Sequence, residues 1–227
     1  MTQQFTILFD LDGTLVDTAP DLMRAHNHVM KKFGYPTKST EEIRNLVGQG
    51  AGAMLGRSIW GQAKKEFGKV QDEKIKKDMI KDFVDFYGKN IVNESTLIKG
   101  VKEFLIWCKE KKILMGVCTN KQEHLAIDLL KKIGIYDFFE YVAGHNTFEY
   151  CKPDPRHLTS VIEILGGDIK KSLMIGDSET DANAAQNAGI PVILLEDGYT
   201  EKNTTEIYHN HLVKDFVGIE KIVLKYL

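Results

Sequence analysis

The sequence predicts an α/β protein, a Rossmann-like parallel-sheet core with an inserted α-helical cap domain. Three features carry that expectation. Short apolar runs recur along the chain, and helix-period segments separate them. One stretch of about seventy residues after the first run reads as helical, with no strong strand in it.

The first run, Phe5 to Phe9, reads FTILF and stops abruptly at Asp10, as a buried strand does. From Ala19 to Lys89 the pattern changes. Asp21 to Phe33, Thr40 to Leu46, Ala51 to Trp60 and Asp72 to Tyr87 read as helices, with Thr40-Glu41-Glu42-Ile43 as a start signal. Gly34-Tyr35-Pro36 and Gly48-Gln49-Gly50 are breaks. Residues 18–89 are therefore assigned to the cap, and residues 1–17 with 90–227 to the core. Further strands are expected at Ile113 to Cys118, Ser172 to Ile175 and Pro191 to Leu195. Helices are expected at Val101 to Lys111, Glu123 to Ile133, Pro155 to Leu165 and Thr180 to Ala188. Gly134, Gly166 and Gly189 stand where glycine helix caps belong. Gly198 to His211 is polar and reads as a loop, followed by a short strand near Leu212 and a terminal helix from Val217.

Of the 227 residues, 43% are apolar and 27% charged, which suits a folded chain and excludes a disordered one. Thirty basic against thirty-two acidic residues give a net charge of -2. That balance gives no reason to expect a nucleic-acid or membrane partner. Cys108, Cys118 and Cys151 are odd in number and form no C-x-x-C, so neither a disulfide framework nor a thiolate zinc site is expected. A reducing, cytoplasmic location is. The first residues lack a secretory pattern, and no apolar run approaches the ~18 residues of a membrane span. Lys64-Lys65 and Lys74 to Lys77 read as solvated helix faces. Trp60, Phe67, Phe83 and Phe86 read as cap core.

In open α/β sheets ligands gather beyond the carboxyl ends of the strands, so the post-strand residues carry the functional reading. After the first strand comes Asp10-Leu11-Asp12-Gly13-Thr14. One carboxylate there can attack phosphorus, and a second can protonate a leaving group. An acidic turn alone would look similar. After the second comes Thr119-Asn120-Lys121, in which Thr119 can hold a phosphoryl oxygen, or Thr119 or Asn120 can simply cap a helix. Lys152 sits between Cys151 and Pro153 and offers a fixed positive charge. Asp177 and Asp181 follow a later strand and supply hard oxygens suited to Mg²⁺, or an acidic helix cap. Four such turns meeting at one sheet edge would assemble a nucleophile, an acid/base, phosphate donors, a cation and a metal ligand.

The motifs FDLDGTLVDTAPDL from Phe9, VCTNK from Val117, KPDP from Lys152 and GDSETDANAAQNAG from Gly176 resemble those of the haloacid dehalogenase superfamily of phosphohydrolases. VGQGAGAMLGRS from Val47 is similar to its phosphoglycolate phosphatase branch. The resemblance implies Asp10 as nucleophile and Mg²⁺ ligand, and Asp12 as general acid/base that also binds Mg²⁺ through its main-chain carbonyl. It implies Thr119, Asn120 and Lys152 on the phosphoryl group, Asp177 as the remaining metal ligand, and Asp181 behind it. The expected substrate is a small phosphorylated metabolite, 2-phosphoglycolate first, handled by a monomer or homodimer. Gly50 and Arg57, with Arg44 in the preceding helix, are the candidates for choosing the leaving group. Other readings stay open: a pyrophosphatase, a sugar-phosphate phosphatase or mutase, or a non-catalytic receiver-like module phosphorylated on Asp10. A phosphonate-cleaving relative would be expected to use a cap lysine such as Lys31 or Lys32.

Overall fold

Four fully buried residues, Thr6–Phe9, form β1, and the sheet is arranged about them. The structure is a computed structural model that describes residues 4–60 and 70–227. Lys64, Lys65 and Phe67, and the side chains of Trp60 and Lys74, lie outside what is described.

The core strands are β1, β4 (Leu114–Cys118), β5 (Tyr141–Ala143), β6 (Ser172–Gly176), β7 (Val192–Leu195) and β8 (His211–Val213). They lie in the order β5-β4-β1-β6-β7-β8, and every neighbouring pair is parallel. β4 and β6 therefore flank β1, which brings three of the motif-bearing strand ends side by side at the sheet's centre.

Period-two alternation sends successive side chains to opposite faces. Ile7, Phe9, Met115, Val117, Leu173 and Ile175 join one cluster with α5 (Val101–Glu110) and α6 (Glu123–Ile133). Leu8, Met174, Val192 and Leu194 join the other with α7 (Arg156–Ile164) and α8 (Glu179–Ala188). Both faces are covered, which explains why these strands read as unbroken apolar runs.

The cap comprises α1 (Ala19–Phe33), α2 (Thr40–Arg44), α3 (Ala51–Trp60) and α4 (Val70–Lys89). Its two connections to the core pair with each other as an antiparallel ribbon, β2 (Val16–Asp17) with β3 (Thr96–Leu97). Asp21, in the first turn of α1, tightens that junction. Its Oδ2 accepts hydrogen bonds from the backbone of Asn93, Glu94 and Ser95 and from the Ser95 hydroxyl. Those donors hold its carboxyl below the usual range despite burial.

The long elements lie within a few residues of expectation. Three differences have local causes. The start of α2 is capped by Ser39, not Thr40: Ser39 Oγ accepts from Glu42 N while Glu42 accepts from Ser39 N, a complete capping box. The ribbon and β5 carry too few residues to show a period. The terminal helix is only α9 (Glu220–Val223), because Gly218 at φ 82° breaks the expected start at Val217.

Candidate active site

At the carboxyl end of β1, Asp10 lies among groups delivered by other strand ends. Lys152 Nζ is 2.9 Å from Asp10 Oδ1 and 2.5 Å from Asp181 Oδ1. Asp10 Oδ1 is thus buried beside a positive charge yet has no well-aligned hydrogen-bond donor. Asp177 Oδ2 accepts from Tyr199 N at 2.6 Å and its Oδ1 from the Thr14 hydroxyl at 3.0 Å. Asp181 Oδ2 accepts from Asp177 N, Ser178 N and Ser178 Oγ, so it caps α8 and also ties down Lys152.

Asp10, Asp177 and Asp181 each offer an oxygen within 4.8 Å of the others, and all three are buried. Burial, with Asp181 nearby and against the pull of Lys152, raises Asp10 to about 6. Burial, with Asp181 and Asp10 beside it, pushes Asp177 well above the carboxylate range. Lys152 is held charged by Asp10 and Asp181 against its own burial. Three carboxylates face one ammonium here. That excess of negative charge, the hard oxygen donors and the orphaned Asp10 oxygen all fit a divalent cation such as Mg²⁺. Gly13 leaves room for the arrangement: at φ 84°, an added Cβ would stand 2.3 Å from Asp177 Oδ2.

Asp12 faces the cavity between core and cap. Its Oδ1 accepts from the Thr18 hydroxyl at 2.7 Å, and Lys121 Nζ reaches both its oxygens at 2.7 and 2.9 Å. Thr119 is buried at the end of β4 and accepts from Lys121 N, which leaves its O–H to donate. The Asn120 amide nitrogen is occupied, donating to Gly48 O and Lys152 O, so this side chain braces the cap loop against the core.

The cavity has a volume of about 790 Å³ and is lined by Asp10, Asp12 and Thr119 on the sheet side. Gly50 lines it with φ 83°, its Cβ position 3.4 Å from Asn120 O. Arg57 lines it too, but its guanidinium donates to Leu46 O and Val47 O and pairs with Glu201. Arg44 pairs with Asp17 and lies over the Tyr199 ring.

The sequence pattern gives no role to two contributors. Lys121 stands in the post-strand VCTNK string, where its position was the available signal. Tyr199 follows β7 in the polar segment read as loop. It holds Asp177 through its N–H, and its hydroxyl accepts from Ala19 N and donates to Asp17 at the cap junction.

A family model described as haloacid dehalogenase-like hydrolase matches residues 7–195. A phosphoglycolate phosphatase of Mesorhizobium japonicum is 37% identical over 92% of this chain and 90% of its own. One of Caulobacter vibrioides is 36% identical over 98% and 92%. A crystal structure described as a predicted phosphoglycolate phosphatase from Haemophilus somnus superposes with a TM-score of 0.87 at 32% identity, covering 98% of this chain and 99% of that one.

Proposed function

The chain belongs to the haloacid dehalogenase-like hydrolases, and on that premise we propose that it hydrolyses small phosphomonoesters through a phosphoryl group carried on Asp10, with 2-phosphoglycolate as the leading substrate. The observation that carries this reading is Asp10 itself: a buried carboxylate at a central strand end, against Lys152, with one oxygen lacking any aligned donor. The names of the relatives supply the leading substrate.

Asp10 attacks phosphorus in line with the leaving oxygen. Lys152, which neutralises Asp10 and donates to Asp181, keeps a proton for a phosphoryl oxygen, and the Thr119 hydroxyl donates to another. Asp12 delivers a proton to the leaving alkoxide, then removes one from the water that hydrolyses the aspartyl phosphate. Mg²⁺, held by the side chains of Asp10 and Asp177 and the main-chain carbonyl of Asp12, with Asp181 behind, would offset charge on the phosphoryl oxygens. The cap over residues 18–89 covers the leaving group and limits water at the reacting atoms.

One observation favours a second reading. A cavity of about 790 Å³, with Met54, Ile80, Phe83, Val84 and Leu125 in its lining, has room for a larger leaving group such as a sugar. A phosphate-release panel with Mg²⁺ separates the two. The leading reading expects the highest kcat/KM on 2-phosphoglycolate. A higher value on sugar phosphates selects the second, and no release from any ester, an aryl phosphate included, rejects both.

A further inference from the structure

We propose that Lys121 is the residue that recognises the leaving group, binding the carboxylate of an anionic substrate; the proposal rests on the phosphomonoesterase reading above and narrows its substrate class.

The cations that reach the cavity narrow the choice. Among the described residues lining it, the lysines and arginines are Arg57, Lys76 and Lys121. The terminal nitrogens of Arg57 are engaged by two backbone carbonyls and Glu201. Lys76 enters from α4 in the cap. Lys121 alone of the three touches Asp12, the acid that must meet the leaving oxygen. In phosphoglycolate one methylene separates that oxygen from the carboxylate. A group able to protonate the first therefore has its bound cation within reach of the second.

Lys121 is also built to stay there. Its side chain is 5% exposed, and its ammonium lies 4.5 Å from the centre of the Tyr87 ring, contributed by the last turns of α4. Two of its three protons go to Asp12, so one is left for an incoming anion. A cation–π face and a carboxylate fix the ammonium without using that third donor. Core and cap meet at this point, with Asp12 and Lys121 from strand ends and Tyr87 from the cap. The cation is thus placed where the leaving-group half of the cavity begins. A sugar or alcohol leaving group has no charge for it, whereas a carboxylate does.

The test measures kcat/KM for phosphoglycolate and for its neutral amide, glycolamide phosphate, in the wild type, Lys121→Met and Lys121→Arg. Thermal melting is followed in each. The expected result is a wild-type preference for the carboxylate. Lys121→Met should lose roughly 10- to 150-fold more on the carboxylate than on the amide, the range for one charge-assisted hydrogen bond, mainly through KM. Lys121→Arg should recover most of the preference. Should Lys121→Met not fold, Lys121→Gln takes its place. An equal loss on both substrates would mean that Lys121 acts only by orienting Asp12, and would overturn the proposal, as would an undiminished preference. If the wild type leaves phosphoglycolate untouched, the phosphoglycolate reading fails separately. Lys121 is then judged on the panel's best substrate, and a neutral leaving group there would reject it.

Discussion

At the carboxyl edge of the sheet, Asp10, Lys152, Asp177 and Asp181 are each at most 6% exposed, and each is held by a group from another strand end or its turn. On the cap side the lining includes Met54, Ile80, Phe83 and Val84 beside the Gly48–Gly52 stretch, and the arginine that reaches it is turned to backbone carbonyls. The first half is fixed by many mutually dependent charges, the second by packing. On the proposed mechanism any phosphoryl group would meet the same machinery, while the leaving group would meet a surface that can vary without disturbing that machinery.

The sharpest way to break this division is at Asp10. Asp10→Asn should reduce turnover to background on every substrate while the protein stays folded, as phosphate release and melting would establish together. A pH dependence accompanies it. The folded value of Asp10, about 6, lies above its ordinary 3.8. Its contribution to stability is thus full below 3.8 and is lost as pH rises through 6. In metal-free buffer, the stability of Asp10→Asn relative to wild type should be greater at pH 7 than at pH 4.

Lys152→Met comes next. It should abolish turnover and also destabilise the fold by about 3–5 kcal/mol, because Asp10 and Asp181 are left buried without their cation. Denaturant titration gives the value. If stability is unchanged, the charges are not mutually dependent as described.

Metal removal should act on both substrate classes alike. Excess chelator should stop release, added Mg²⁺ should restore it, and Asp177→Ala should raise the Mg²⁺ concentration needed. Full activity in chelator would contradict the reading of the acidic cluster.

The smallest effect is expected in the cap. Arg57→Ala should cost about 1–3 kcal/mol of stability through the freed carbonyls and Glu201. It should change kcat/KM for phosphoglycolate and an aryl phosphate by similar factors. A selective loss on phosphoglycolate would return Arg57 to the leaving-group site and weaken the case for Lys121.

The same contrast explains what could be read from the sequence. Buried parallel strands leave continuous apolar runs, and Asp10, Thr119 and Asp177 each stand directly after one, so their convergence at one sheet edge is legible in the sequence. Cap contacts carry no such offset. Nothing in the local sequence at Arg57 says that it will satisfy Leu46 O and Val47 O, or at Asn120 that its amide will join Gly48 to Lys152. The partnership of Lys121 with Asp12 spans 109 positions and the Tyr87 face lies on another element, so only the folded chain brings them together.

The division of labour itself is tested most directly by acid-quenched single turnovers, with the phosphorylated peptide identified by mass spectrometry and its decay followed for phosphoglycolate and an aryl phosphate. A phosphoryl group on Asp10 is expected from both, forming at rates that depend on the leaving group and decaying at one common rate. Phosphate accumulating with no phosphorylated peptide, or a decay rate that follows the leaving group, would contradict it.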